Sequence, residues 1–205
     1  MVKTLNLDKL EKFLQEKILP DLEKGRPKDK AHTLDVVSKI KEIIRNSPEL
    51  TLDSTVLIIA AYAHDWGYTG LFENKHSLTM AEISAQKPAH MIAGAEKLTN
   101  LLQDPFFNFL STDKKLRAVH LVSVHDQIDV LRDPDELVLM EADGLGGLNT
   151  EVISTFEDQA SEERFMRKTR EFRFPRFITD YGKKEFERLF KKRKEFYELK
   201  KKQHI

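Results

Sequence analysis

The amino-acid sequence predicts an all-α protein, a helical bundle with a long carboxyl-terminal helical extension. Three observations favour this fold class. Apolar residues recur at helical spacing in almost every segment, and the alternation typical of strands is nearly absent. A long charged stretch that is rich in phenylalanine also begins near residue 160.

The first three helices are predicted from their apolar patterns. Two stripes have helical spacing, namely Leu10, Phe13, Leu14 and Ile18, and then Val36, Val37, Ile40 and Ile44. The third segment, residues 56–61, is a continuous apolar run that would also fit a buried strand. Its length, its alanines and the capping residues Asp53 and Ser54 before it favour a buried helix.

The following helices are predicted from proline, capping and glycine signals. One helix is expected to start near Pro88, because proline suits the first helical turn. Thr112 or Asp113 could cap the next helix, and Pro134 opens a short one after it. The glycine-rich segment 144–148 predicts the end of that short helix.

The carboxyl-terminal stretch is both basic and aromatic. From Glu162 onward it carries 16 basic and eight acidic residues, whereas the whole chain has 34 of each. It also holds seven of the thirteen phenylalanines, so at least part of it is expected to pack against the body. The basic runs 191–194 and 200–202 fit a solvated helix end, and no specific binding of DNA or RNA is expected.

Length and composition limit the number of domains and the kinds of functional site that the chain can form. The 205 residues predict one domain over residues 1–205, with a metal-binding core at about 28–150 and packed helices at about 150–203. The absence of cysteine excludes disulfides, thiolate metal sites and cysteine nucleophiles. The longest apolar run has about nine residues, whereas a membrane helix needs about twenty. A cytoplasmic protein without a membrane partner is therefore expected, and a homo-oligomer stays open.

Histidines are concentrated in one part of the chain, where six of the seven lie between residues 32 and 125. The pair His64-Asp65 follows the buried apolar run, and a buried carboxylate is costly unless it is paired or binds a metal. Together the two side chains offer one nitrogen and one oxygen ligand to a divalent cation. Further candidates on separate helices or helix ends are His32, His90, His125 and Asp143. A helical bundle can direct such side chains to one point.

This order of residues resembles the HD-domain superfamily of metal-dependent phosphohydrolases. His32, the doublet His64-Asp65 and Asp143 match its metal-binding signature, and the similarity covers roughly residues 28–150. The last motif departs from the family pattern, since Glu141 replaces an aspartate and Gly144 replaces a basic residue. The extra histidines of the branch with two metals are matched by His90 and His125.

The resemblance implies an HD-type helical bundle and a site for two divalent metal ions. One ion would be held by His32, His64, Asp65 and Asp143, and Asp65 would bridge to a second ion held by His90 and His125. Histidine and carboxylate ligands suit iron, manganese, cobalt or nickel, with magnesium as an alternative. The implied activity is hydrolysis of a nucleotide or another small phosphorylated metabolite by a metal-activated water, with Asp65 and His64 as catalytic residues.

Several assignments stay open at this level. His120 competes with His125, but residues five apart on a helix point about 140° apart, so both cannot face one metal. His125 is favoured because it ends its helix. Lys75, His76 and Arg132 are candidates for binding the substrate phosphate.

Alternative functions exist within the same fold. Relatives with six such ligands include di-iron oxygenases, and an incomplete site would indicate a non-catalytic ligand-binding regulatory domain. The branch that handles guanosine tetraphosphate carries a Glu-Asp pair shortly after the doublet, where this chain has Trp66-Gly67-Tyr68. The Gly-Tyr-Pro signature of the cyclic-dinucleotide branch does not occur in this chain.

Overall fold

The computed structural model describes residues 7–72 and 77–203, and within these ranges it contains helices and no strand, so the predicted all-α class is confirmed. Its eight α-helices are α1 (Leu7–Leu22), α2 (Asp29–Asn46), α3 (Ser54–Ala63), α4 (Met80–Leu101), α5 (Thr112–Val124), α6 (Pro134–Leu148), α7 (Gln159–Lys168) and α8 (Asp180–Gln203). None of the described helices is long and apolar enough to span a membrane.

Helix α3 lies at the centre of the bundle. Its amino terminus is capped as predicted, because the Asp53 side chain accepts a hydrogen bond from the Val56 backbone N–H. Every residue from Val56 to Ala63 is buried, with α1, α2 and α5 packed around the helix. Burial on all sides explains why this segment is continuously apolar rather than amphipathic.

The carboxyl-terminal stretch packs on this bundle through part of its aromatic set. Helix α8 lies against α6 and α2, and Phe177 and Phe186 belong to the hydrophobic core. Arg193 of α8 is fully buried and forms an ion pair with the buried Glu162 of α7. Phe172 remains exposed, with 56% of its surface accessible. Phe196 is exposed as well, at 44%. The expectation that part of the stretch packs is therefore met, and two of its phenylalanines stay in solvent.

Helix α4 begins eight residues before Pro88. Thr79 accepts a hydrogen bond from the Glu82 backbone N–H, and the Glu82 side chain accepts one from the Thr79 N–H, so a capping box starts the helix at Met80. Pro88 consequently lies inside the helix rather than in its first turn. The capping box therefore indicates the start of the helix better than Pro88 does. Pro88 has no backbone N–H, so the helix lacks one hydrogen bond at this residue.

Helix α6 also differs from its prediction, because the glycine-rich segment continues the helix to Leu148. The glycines lie where neighbouring elements approach the helix. A Cβ atom on Gly146 would lie 2.9 Å from Val36 and 3.1 Å from the His32 ring of α2. Gly146 therefore allows α2 and α6 to pack closely enough for His32 to reach residues of α6.

We expect Gly67→Ala to destabilise the protein strongly. Gly67 lies in the short 3₁₀ turn Trp66–Tyr68, and a Cβ atom there would lie 1.8 Å from the His90 carbonyl oxygen. Because the obstacle is helix backbone, the turn must move, at a cost of about 3 kcal/mol or more. Chemical denaturation measures this loss.

Gly144→Ala is the matched control for this experiment. Its Cβ atom would meet Phe177 at 3.5 Å, an ordinary contact distance, and the exchange favours the helical backbone. Unfolding free energies that are equal for the two alanine variants would contradict the close approach at Gly67.

Candidate metal centre

The candidate ligands come from five separate parts of the bundle. They are His32 in the first turn of α2, His64 and Asp65 directly after α3, His90 in α4, His125 directly after α5, and Asp143 in α6. His90 and Asp143 lie within their helices rather than at the helix ends where the sequence suggested them. The structure nevertheless brings all six side chains together.

The first group of potential ligands consists of His32, His64, Asp65 and Asp143, whose ligand atoms lie within 4.8 Å of one another. His32 Nε2 is 3.1 Å from Asp143 Oδ1 and 3.4 Å from His64 Nε2. His64 Nε2 is in turn 3.2 Å from Asp65 Oδ2. Two imidazole nitrogens and two carboxylates thus point to one position, which could hold a metal ion.

The second group consists of Asp65, His90 and His125, also within 4.8 Å of one another. The Nε2 atoms of the two histidines are 3.2 Å apart. Asp65 Oδ1 lies 3.7 Å from His90 Nε2 and 3.9 Å from His125 Nε2. Asp65 belongs to both groups, with Oδ2 towards one and Oδ1 towards the other, so a bridging position is geometrically available.

Hydrogen bonds orient two of the imidazoles for metal binding. His64 Nδ1 donates to the Ala61 carbonyl at 2.7 Å, and His125 Nδ1 donates to the Val122 carbonyl at 2.8 Å. A carbonyl oxygen only accepts, so Nδ1 carries a proton and each ring, when it is neutral, presents its Nε2 lone pair to the centre. The Nδ1 atoms of His32 and His90 are buried without a partner among the described residues, so no hydrogen bond at Nδ1 orients these two rings.

The charges in the site also fit a cation. Burial, with His125 nearby, lowers the pKa of His90 to about 3, so this imidazole is neutral and can act as a ligand. Burial opposes ionisation of Asp65, yet Arg26 and His64 hold the pKa of that carboxyl well below its usual range. Burial likewise opposes protonation of His64, but Asp65 and Asp143 raise its pKa to about 9. A metal ion at this position would displace that proton from His64. The residues present therefore fit divalent metal ions.

Arg26 and Tyr68 form a layer against one side of the centre, which the sequence reasoning did not find. The Arg26 guanidinium forms ion pairs with Asp65 and with the buried Asp29. It stacks 3.8 Å over the Tyr68 ring, and Tyr68 stacks in parallel on the His90 ring at 3.9 Å. Nothing in the sequence distinguishes Arg26 from the other basic residues of its loop.

A second missed arginine approaches from the carboxyl-terminal stretch. Arg173 forms ion pairs with Asp143, at 2.5 Å, and with Asp126. Lys87 of α4 binds the same Asp126 at 2.6 Å. Asp126 Oδ2 is 3.8 Å from His90 Nε2. The doublet His125-Asp126 repeats the pattern of His64-Asp65, which is a sequence signal that could have indicated Asp126.

The remaining candidates from the sequence lie elsewhere. His120 is half exposed on α5 and contacts Glu136 at 2.7 Å, away from the six-residue cluster. Arg132 is exposed, and its guanidinium donates to the backbone carbonyls of Asp129 and Leu131 rather than lining the centre. Lys75 and His76 lie outside the described residues, so their assignment to substrate binding stays a prediction.

Removal of divalent metal should lower the melting temperature of the protein. A ligand that binds only the native state stabilises it by about 2.7 kcal/mol at a hundredfold excess over its Kd. Thermal unfolding before and after chelation, and after addition of Mn²⁺, measures the effect. The control is Asp65→Asn, which alters the side chain shared by both ligand groups, so added metal should no longer raise the melting temperature. Equal melting temperatures of chelated and metal-supplied wild type would argue against the site.

In comparisons with known proteins, no family model, no curated protein and no solved structure matches the chain.

Proposed function

We propose that this chain is an HD-type, metal-dependent phosphohydrolase that acts on a small phosphate ester. The observation that carries the proposal is the convergence of four histidines and two aspartates into two ligand groups that share Asp65. This arrangement suits a pair of divalent cations that clamp the attacking and leaving oxygens of a displacement at phosphorus. When bound, such cations lower the pKa of a water molecule and offset the charge of phosphoryl oxygens.

The arginines beside the centre support an anionic substrate. Arg26 and Arg173 each present a planar set of N–H donors, which suits phosphate geometry. In the structure each guanidinium uses part of this set on one carboxylate of the centre and one beside it, Arg26 on Asp65 and Asp29, and Arg173 on Asp143 and Asp126. Donors that remain are available to phosphoryl oxygens, so the two arginines would position the phosphate against the metal ligands.

Further side chains keep these groups in place. Tyr68 lies between Arg26 and His90, so it fixes the distance between a phosphate-binding cation and a ligand of the second group. Asp126 binds both Lys87 and Arg173, which keeps two cations beside the centre. The chain therefore supplies positioning and charge, and it does not require a nucleophilic side chain of its own.

A metal-dependent phosphatase screen tests the proposal. Metal-stripped protein would be supplied with Mn²⁺, Co²⁺, Ni²⁺, Fe²⁺ or Mg²⁺ and assayed for phosphate release from nucleotides, sugar phosphates and simple alkyl or aryl phosphates. Asp65→Asn protein, purified in the same way, controls for contaminating phosphatases. Turnover with at least one metal that is lost in the variant is the expected result.

Two outcomes would contradict hydrolysis. Two bound irons with consumption of O₂ and no release of phosphate would indicate the oxygenase alternative. Metal binding without turnover of any ester would indicate a non-catalytic, ligand-binding role.

A further inference from the structure

A large cavity lies next to the candidate metal centre and is lined in part by its ligand residues. Its volume is about 770 Å³, and its walls include Arg26, Asp65, Asp143 and Arg173. We call these four residues the charged end. The volume is typical of sites for complete organic ligands and far exceeds what a phosphate group alone requires. The rest of the cavity therefore accommodates the remainder of the substrate.

The surface beyond the charged end is rich in aliphatic and aromatic side chains. This apolar wall consists of Ile83, Ile128, Val130, Phe156, Phe165 and Phe172. Polar residues also line the cavity, among them Gln127, Asp129 and Lys168, but they lie outside this wall. A nucleoside would bring ribose hydroxyls and ring nitrogens that need polar partners, and the six side chains of this wall have no polar group to offer.

Two features place the apolar wall close to the charged end. Gly147 follows Asp143 by about one turn of α6, roughly 5.4 Å along the helix, and a Cβ atom there would meet the Phe165 ring at 3.4 Å. Phe156 packs on Phe165 with ring centroids 5.9 Å apart. Phe172 directly precedes Arg173 in the turn Thr169–Arg173. A molecule whose phosphate reaches the arginines would extend its other end over these rings.

The rim of the cavity exposes large apolar side chains to water. Phe172 is 56% exposed and Val130 is 52% exposed, although most of the large apolar side chains in the described bundle are packed. Exposed apolar residues that border a cavity with a charged base are typical of a binding surface. They would be covered by an apolar ligand that extends from the charged end.

We propose that the substrate is a phosphate monoester of an apolar alcohol, with its phosphate between Arg26 and Arg173 and its alkyl or aryl body on the apolar wall. This inference rests on the proposed function. In the reaction the water oxygen forms a bond to phosphorus and releases a proton, the bond from phosphorus to the ester oxygen breaks, and the leaving oxygen takes up one proton in return. The products are the apolar alcohol and inorganic phosphate.

Binding of alkylphosphonates tests the inference separately from hydrolysis. Methyl-, butyl- and octylphosphonate would be titrated into the full chain supplied with Mn²⁺, and their Kd values measured by calorimetry. Affinity should rise about twofold to fourfold for each methylene group that is buried. Phe172→Ser should weaken octylphosphonate binding about tenfold and leave methylphosphonate binding unchanged.

Leu116→Ser is the matched control, because Leu116 is 63% exposed on α5 and does not line the cavity. It should change neither affinity. Equal affinities across the series, or equal losses in the two serine variants, would overturn the inference. A kcat/KM for AMP above that for octyl phosphate would also overturn the inference.

The same series separates the inference from the proposed function. Binding that strengthens with the length of the alkyl group, without hydrolysis of any ester, would support the apolar wall as a ligand site and contradict the proposed phosphohydrolase activity. Hydrolysis of methyl and octyl phosphate at the same kcat/KM would sustain the phosphohydrolase and refute the inference.

Discussion

Asp65→Asn should remove bound metal from both ligand groups and lower any hydrolytic kcat/KM by about 10³-fold or more. Asp65 presents Oδ2 to the group with His64 and Oδ1 to the group with His90 and His125. The amide has nearly the same shape, but it lacks the negative charge and presents only one oxygen. Metal content measured by elemental analysis, together with the kinetics, checks this result.

Asp29→Asn is the control for this experiment. Asp29 is also buried and pairs with the same Arg26, but it belongs to neither ligand group. Burial raises its pKa to about 6, so its charge is less strongly held than that of Asp65, whose pKa lies well below the usual range. The control variant should retain its metal. Full metal occupancy in Asp65→Asn, or equal loss in both variants, would remove Asp65 from the bridging role.

The fold class was predictable because the local signals agree with the tertiary structure. The stripe that begins at Leu10 and the cap at Asp53 both indicate helices that form as expected. The errors occurred where tertiary packing changes the meaning of a residue. Gly144, Gly146 and Gly147 predict a helix end, but all three lie inside α6, where Gly146 creates space for His32 and Val36 of α2. No single-sequence rule separates these two uses of glycine.

The ligand candidates were identifiable because histidine and aspartate carry a recognisable order along the chain. The arginines were not, since Arg26 lies in a short loop and Arg173 in a stretch with many basic residues. Their importance comes from contacts over long sequence distances, 39 residues from Arg26 to Asp65 and 30 from Arg173 to Asp143. Only the folded chain shows which of its many cations lie beside the centre.

The number of metals depends on His90 and His125. The group of His32, His64, Asp65 and Asp143 could hold one ion without them. In that case the contact between the two Nε2 atoms at 3.2 Å would be a hydrogen bond between one protonated and one bare nitrogen. Burial and His125 keep His90 neutral, and the Val122 carbonyl accepts the Nδ1 proton of His125, so the Nε2 lone pair of His125 can accept a hydrogen bond from His90 or bind a metal ion. Asp65 Oδ1 lies 3.7 Å and 3.9 Å from the two Nε2 atoms and adds the negative charge that a cation requires, which favours metal binding.

We therefore expect His90→Ala and His125→Ala each to lower the metal content from about two ions per chain to about one. Either change leaves the second group with only one histidine and the shared Asp65, and kcat should fall at least about a hundredfold. His120→Ala is the matched control, since His120 lies on α5 near His125 but contacts Glu136 outside the cluster. Its metal content should stay at two. One metal in fully loaded wild type, with both cluster variants active, would establish a mononuclear site in which His90 and His125 serve packing alone.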